Sequence, residues 1–195
     1  MKYTLQFRIW HWLNAVVVLG LLGTVFLRKT FLSWRTNSEI LTTQLSEMGI
    51  EVTAVQAKIL AKAVRAGMWE WHIILGYALA FLIAFRVYLF FTDESEKESF
   101  SSLNLHKKAV QISYYVIYTT LLFMAVSGLV IVFYEALAIS KDFAHDIKEI
   151  HELVFNIIMI WTPLHIAGVV VADIRDEKGL VSTMINGNKL KEYRE

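Results

Sequence analysis

With 195 residues, 56% of them hydrophobic, and a mean hydropathy of +0.47, the chain is too apolar for an ordinary soluble domain and long enough for about four membrane spans with their connections. A formal net charge of +1, with basic residues scattered rather than clustered, excludes the electrostatic footprint of a nucleic-acid binder. The lack of cysteine excludes disulfides, iron–sulfur ligation by this chain and covalent attachment of a c-type haem, so any haem is held non-covalently, as in b-type cytochromes.

In chain order, the first apolar run, 9–27, carries no charge and follows Lys2 and Arg8 as a signal peptide would. It nevertheless holds Trp10, His11, Trp12 and Asn14 and has no small-x-small cleavage site, so it reads as a retained span. The connection 28–70 is long but patterned. Ser38 is placed to cap a helix ending near Gly49, and Thr53 one ending near Gly67, with apolar residues recurring at Ile40, Leu41, Leu45 and Met48 and then Val55, Ile59, Leu60 and Val64. Two short amphipathic helices are expected there, forming a lid on the outer face that could shield a cofactor edge or dock a partner.

Three further runs meet the length of a spanning helix: 71–91, broken only by Arg86, then 109–134 and 153–172, both uncharged. Trp10, Trp12, Trp69, Trp71, Tyr88, Tyr114 and Tyr115 gather near the ends of the spans, at the headgroup level that amphipathic rings prefer. Pro163 frees the carbonyl of Met159 and predicts a kink just before His165. The fold class expected is all-α, a four-helix up-and-down membrane bundle forming one domain over residues 1–195.

An even number of spans puts both termini on one side. That side, with the second connection, holds eleven basic residues (Lys2, Arg8, Arg86, Lys97, Lys107, Lys108, Arg175, Lys178, Lys189, Lys191, Arg194); the other holds eight (Arg28, Lys29, Arg35, Lys58, Lys62, Arg65, Lys141, Lys148). The excess favours cytoplasmic termini.

The histidines carry the chemistry. His151 and His165 stand 14 residues apart, which at ~100° and ~1.5 Å per residue returns the side chain to within ~40° of the same face after ~21 Å of rise, roughly two-thirds of a bilayer core. One helix thus offers an imidazole towards each membrane surface. If the spans alternate in direction, His11 and His165 share the cytoplasmic half and His72 and His151 the outer half, two pairs at two depths with the fourth helix common to both. That arrangement suits bis-imidazole ligation of two haems and speaks against zinc, which prefers three or four ligands at one point. His11 lies nearer its surface charge than His165 does, so the fourth helix is expected to extend into the cytoplasm.

Arg86, 14 residues after His72, falls on roughly the same face one level lower, where a cation suits a propionate of the inner haem; a snorkelling arginine is the plainer alternative. Gly76, four residues after His72, removes a side chain where a porphyrin face would lie, and Gly128 in the third span could do the same, though small residues also serve helix packing. His145, six residues before His151, is assigned to the outer connection, and His106, beside Lys107 and Lys108, to solvent.

The segments RIWHWLNA, WEWHIILGYALAFLIAFR, QISYYVIYTTLLFMAVSG, IHEL and PLHIAGVVVAD, in this order, with the tail GLVSTMINGNK, resemble the bacterial cytochrome b561 and nickel-iron hydrogenase b-type cytochrome family over nearly the whole chain. The resemblance implies two haem b groups, one held by His11 and His165 and one by His72 and His151. It also implies electron transfer in a respiratory chain, between the quinone pool and a periplasmic redox partner such as a hydrogenase-like subunit, another oxidoreductase or a cytochrome c. Two axial nitrogens leave no open iron position, which favours outer-sphere transfer. Asn14 and Gln111 are the quinone candidates, with interhelical hydrogen bonds as their ordinary use. Two other readings are a stand-alone superoxide or quinone oxidoreductase and a haem-free anchor or proton-conducting bundle.

Overall fold

The computed structural model describes residues 3–92, 100–175 and 178–187. It is helical, with no strand among the described residues: α1 (Leu5–Lys29), α2 (Trp34–Glu47), α3 (Ala54–Val64), α4 (Ala66–Thr92), a 3₁₀ turn (Phe100–Ser102), α5 (Leu105–Phe133), α6 (Lys141–Arg175) and α7 (Leu180–Asn186). Four helices are long and apolar enough to cross a membrane, those containing α1, α4, α5 and α6, consistent with a membrane bundle. Their large apolar side chains are widely exposed, as in Val16, Phe81, Phe91, Leu153 and Leu164, which suits contact with lipid rather than water. Of the charge tally, Lys2, Lys97, Lys189, Lys191 and Arg194 lie outside the described residues, as do Asn188 and Lys189 of the tail segment.

The chain divides into two compact units, Met1–Ala15 with Leu79–Glu195, and Val16–Ala78. Within the second, smaller unit, α2 and α3 pack on each other through the fully buried Ala57 and Ala61, which let the backbones approach. The α2 helix stops as its sequence dictates. Gly49 takes the left-handed conformation (φ 76°), and the N–H groups of Gly49 and Ile50 return to the carbonyls of Ser46 and Leu45, a Schellman ending. Thr53 starts α3 with a full capping box, its hydroxyl accepting from the N–H of Gln56 while the Gln56 side chain accepts from that of Thr53. The start of α2 differs from expectation: Ser33 is the first-turn boundary and Ser38 lies inside the helix, its hydroxyl turned back to the Arg35 carbonyl. The first helical bond runs from the Asn37 N–H to the Ser33 carbonyl at 2.9 Å, and the Trp34 ring lies 5.0 Å from the Arg35 guanidinium and 4.7 Å from the Lys58 ammonium. Further along this unit, a Cβ on Gly20 of α1 would lie 3.0 Å from Leu75 Cδ1 of α4, so glycine permits the close approach of these helices.

In the larger unit the core is built from Trp10 of α1, Leu79, Leu82, Ile83 and Leu89 of α4, Ile117, Leu121 and Ala125 of α5, and Phe155 and Ile158 of α6. Asn104 caps α5 by accepting from the Lys107 N–H at 2.8 Å. The α6 helix runs twelve residues upstream of the uncharged stretch and at ~52 Å exceeds a ~30 Å bilayer core. Its first turns are laced by polar pairs one turn apart, His145 with Glu149 at 3.7 Å and the ion pair of Lys148 with Glu152 at 3.6 Å. His145 is therefore a residue of α6 and not of the preceding connection. Towards its C-terminal end α6 includes Asp173, and it is continuous across Pro163.

The small helix α7 is tied at both ends. The Asp173 carboxylate accepts from the Val181 N–H at 3.0 Å, and Arg8 and Trp12 of α1 donate to the carbonyls of Ile185 (2.9 Å) and Met184 (3.3 Å). Anion at the N-terminus and cation at the C-terminus both complement the helix dipole. Gly187 closes α7 at φ 80°, where a Cβ would lie 2.8 Å from the Arg8 guanidinium carbon.

The packing at Gly20 sets a graded expectation: Gly20→Ala is accommodated by rotation of Leu75, whereas Gly20→Phe lowers stability by about 1–3 kcal/mol. Thermal unfolding of the two variants in detergent, beside the parent chain, checks it.

Candidate functional site

His11 and His165 meet across the larger unit, on α1 and α6. Their ring centroids are 6.3 Å apart with the planes at 63°. Each ring is oriented by aromatic neighbours: His165 stacks on Trp161 one turn before it (4.5 Å, 8°) and meets Tyr114 of α5 edge-on at 6.1 Å, while His11 meets Trp12 edge-on at 5.5 Å. Neither ring has a hydrogen-bond partner among the described residues. Metal–imidazole bonds of about 2 Å on opposite sides of one ion place the two ring centres roughly 6.2 Å apart, so the observed separation fits a single metal between them. Among the described residues no three histidine, aspartate or glutamate side chains converge as a metal site. Two imidazoles at this separation could offer a two-nitrogen donor set, of the kind that suits an iron already held in a porphyrin plane.

His151 lies on α6 in the same unit. Its Nδ1 is 2.8 Å from the hydroxyl oxygen of Ser127 on α5, and a Cβ on the adjacent Gly128 would come to 3.7 Å from its Cε1. Gly128 thus leaves this histidine room. His72, on α4 in the smaller unit, has its Nδ1 2.8 Å from the hydroxyl oxygen of Thr24 on α1. It stacks on Trp69 (5.2 Å, 7°), which in turn carries the Arg28 guanidinium at 5.2 Å. Nothing lies within 4 Å of where a Cβ on Gly76 would stand, so this glycine borders open space. Thr24 and Ser127 are absent from any sequence-based list of site residues, since hydroxyls are common inside apolar helices; only their position opposite an imidazole distinguishes them.

Arg86 packs among aromatic rings. Its guanidinium sits over three rings, Phe7 at 5.3 Å, Trp10 at 5.3 Å and Tyr118 at 5.0 Å, and its Nε is buried without a hydrogen-bond partner. Trp10, next to His11 in sequence, is anchored in turn by its indole N–H to the Leu82 carbonyl at 2.8 Å. Arg8 likewise has a buried, unpartnered Nε. Buried donors without acceptors are rare and point to a missing group, and a carboxylate is the natural partner for a guanidinium.

Asn14 and Gln111, in the same unit, each bury an unpartnered side-chain oxygen, Oδ1 and Oε1. The amide nitrogen of Gln111 bonds within its own helix, to the Tyr115 hydroxyl at 3.3 Å. The interhelical hydrogen bonds that would be their ordinary use are therefore not what engages these oxygens. His106 is exposed in the first turn of α5 and His145 pairs with Glu149, so neither joins the imidazole sites.

The aromatic cage implies a stability effect independent of any bound group. Arg86→Met is expected to lower the unfolding midpoint, corresponding to about 1–2 kcal/mol of lost cation–π contact, with Arg86→Lys recovering only part because the planar guanidinium matches the rings better than an ammonium; detergent thermal-shift measurements on both variants read this out.

Residues 2–187 match the family model of prokaryotic cytochrome b561. No curated protein and no solved structure gives a match.

Proposed function

Because the chain belongs to the prokaryotic cytochrome b561 family, we propose that it is a di-haem cytochrome passing electrons across the membrane between the quinone pool and a redox partner on the outer face. Family and spans together make it a multi-pass membrane b-type cytochrome of electron transfer. The observation that carries the finer reading is the His11–His165 pair, 6.3 Å between ring centroids on two membrane-spanning helices. In this reading His11 and His165 hold the inner haem b and His72 and His151 the outer one, the second pairing resting on the depth of these residues along their helices. Haem b with two axial imidazoles supplies one-electron transfer with no open iron position for a substrate.

The chain's own residues divide the remaining work. Trp161 and Tyr114 fix the plane of His165, so that ring does not need to be ordered when the cofactor enters. Arg86 and Arg8 present buried, unpaired guanidinium nitrogens that suit the propionates of the inner group, and the aromatic cage holds Arg86 in place without neutralising it. Asn14 and Gln111 offer buried acceptor oxygens to the hydroxyl hydrogens of a quinol. The inner membrane, cytoplasmic termini and a hydrogenase-like, oxidoreductase or cytochrome c partner complete the proposal; the basic-residue excess supports the orientation.

The reduced-minus-oxidised spectrum of the purified chain, with haem and protein quantified on one sample, tests this directly. Two haem b per chain with low-spin bands are expected, falling to one in His165→Ala or His72→Ala. A parent chain with no haem, under conditions that load other b cytochromes, overturns the proposal. The quinol assignment is separable: Asn14→Val and Gln111→Leu are expected to slow haem reduction by a quinol analogue at least tenfold while leaving reduction by dithionite unchanged.

A further inference from the structure

Thr24 and Ser127 share a geometry that the electron-transfer reading does not require. The Thr24 hydroxyl oxygen is 2.6 Å from the Leu21 carbonyl and 2.8 Å from His72 Nδ1. The Ser127 hydroxyl oxygen is 2.6 Å from the Phe123 carbonyl, 3.3 Å from that of Met124 and 2.8 Å from His151 Nδ1. Both residues are buried. A hydroxyl has one hydrogen, and a carbonyl can only accept. The hydrogen therefore goes to the carbonyl of the residue's own helix, since two oxygens 2.6 Å apart without a hydrogen between them would repel. Towards the imidazole each hydroxyl presents only lone pairs. The hydrogen of that second bond has to come from Nδ1, which leaves the ring's lone pair on Nε2.

From this we propose that Thr24 and Ser127 are positioning residues that set His72 and His151 in the Nδ1–H tautomer, with Nε2 as the donor to the outer haem iron. The proposal rests on the reading of His72 and His151 as ligands. The back-bonded hydroxyls act on the iron only through the histidines: an acceptor on Nδ1–H fixes ring orientation and makes the opposite nitrogen a stronger donor. A stronger donor favours ferric iron and lowers the reduction potential. His11 and His165 are oriented by aromatic contacts instead, edge-on for His11 and stacked for His165, with no hydrogen-bond acceptor on either ring among the described residues. The two haems are thus tuned differently by the same chain, the outer pair of imidazoles by hydrogen bonds and the inner pair by ring contacts.

The test is redox titration and low-temperature EPR of the haem-loaded chain in detergent, for Thr24→Val, Thr24→Ser, Ser127→Ala and the parent. Expected is an upward shift of one of the two midpoint potentials, with a change in the same low-spin EPR signal, in Thr24→Val and in Ser127→Ala. The other haem stays at its parental potential, and Thr24→Ser behaves as the parent. Should Thr24→Val instead lose one haem, retention of that haem by Thr24→Ser supports the hydroxyl's role. Unshifted potentials and signals in both hydroxyl-free variants overturn the proposal, as does a Thr24→Ser variant indistinguishable from Thr24→Val, which would make the effect one of shape. His72→Ala and His151→Ala separate the two levels: two haems per chain in both would overturn the ligand reading itself, whereas loss of one haem alongside unshifted hydroxyl variants overturns only the tautomer assignment.

Discussion

An imidazole inside a hydrocarbon layer has nitrogens that water cannot serve, and each must find its partner within the protein or its cofactor. Four histidines on spanning helices of this chain face that demand, and much of the local architecture answers it. Ser127 and Thr24 give an acceptor to one nitrogen of His151 and His72. Trp161, Tyr114 and Trp12 surround the rings of His165 and His11 and bring the two to 6.3 Å, a spacing that one metal ion can bridge. A histidine held at one nitrogen in this way has a fixed ring, with its other nitrogen not engaged by that hydroxyl.

The same economy governs the cations. A guanidinium on an apolar helix could have been neutralised by a carboxylate, but Arg86 is held by three ring faces, from Phe7, Trp10 and Tyr118. Aromatic faces attract the charge without cancelling it, so the cation remains able to bind an anion. Trp10 links this cage to the core, its indole N–H bonded to a carbonyl of α4. Arg8 and Trp12, in the same helix, reach the C-terminal carbonyls of α7. One turn of α1 therefore carries the histidine, a ring of the arginine cage and the contacts to α7 together.

Local chemistry was readable in advance, and long-range chemistry was not. The capping box at Thr53 and the stop at Gly49 depend on residues within three or four positions of each other, and both are formed as their sequence indicates. Trp161 and His165, four apart, could only share a helix face. In contrast, the reach of α6 back to Lys141 was hidden, because a hydropathy criterion ends at the first charge while a helix continues through charged pairs one turn apart. Ser38 satisfies the cap pattern yet lies within α2, its hydroxyl bonded to the Arg35 carbonyl of its own helix. The spacing of the histidines could be read from the chain, but Thr24 and Ser127 could not, since a hydroxyl bonded to its own helix carbonyl is unremarkable until an imidazole stands opposite it.

What a chain of this kind settles from its residues alone is axial. Rise per residue is constant, so hydropathy and spacing give which segments are long and apolar enough to span and how far apart the histidines stand along a helix. Lateral order is different in kind. Which ring lies beside which hydroxyl, that Arg86 lies among three rings, and that His11 lies beside His165 are decided by contacts between residues up to 154 apart in sequence. Those contacts follow from how side chains of different helices interlock, for which no periodicity along a single helix carries the information.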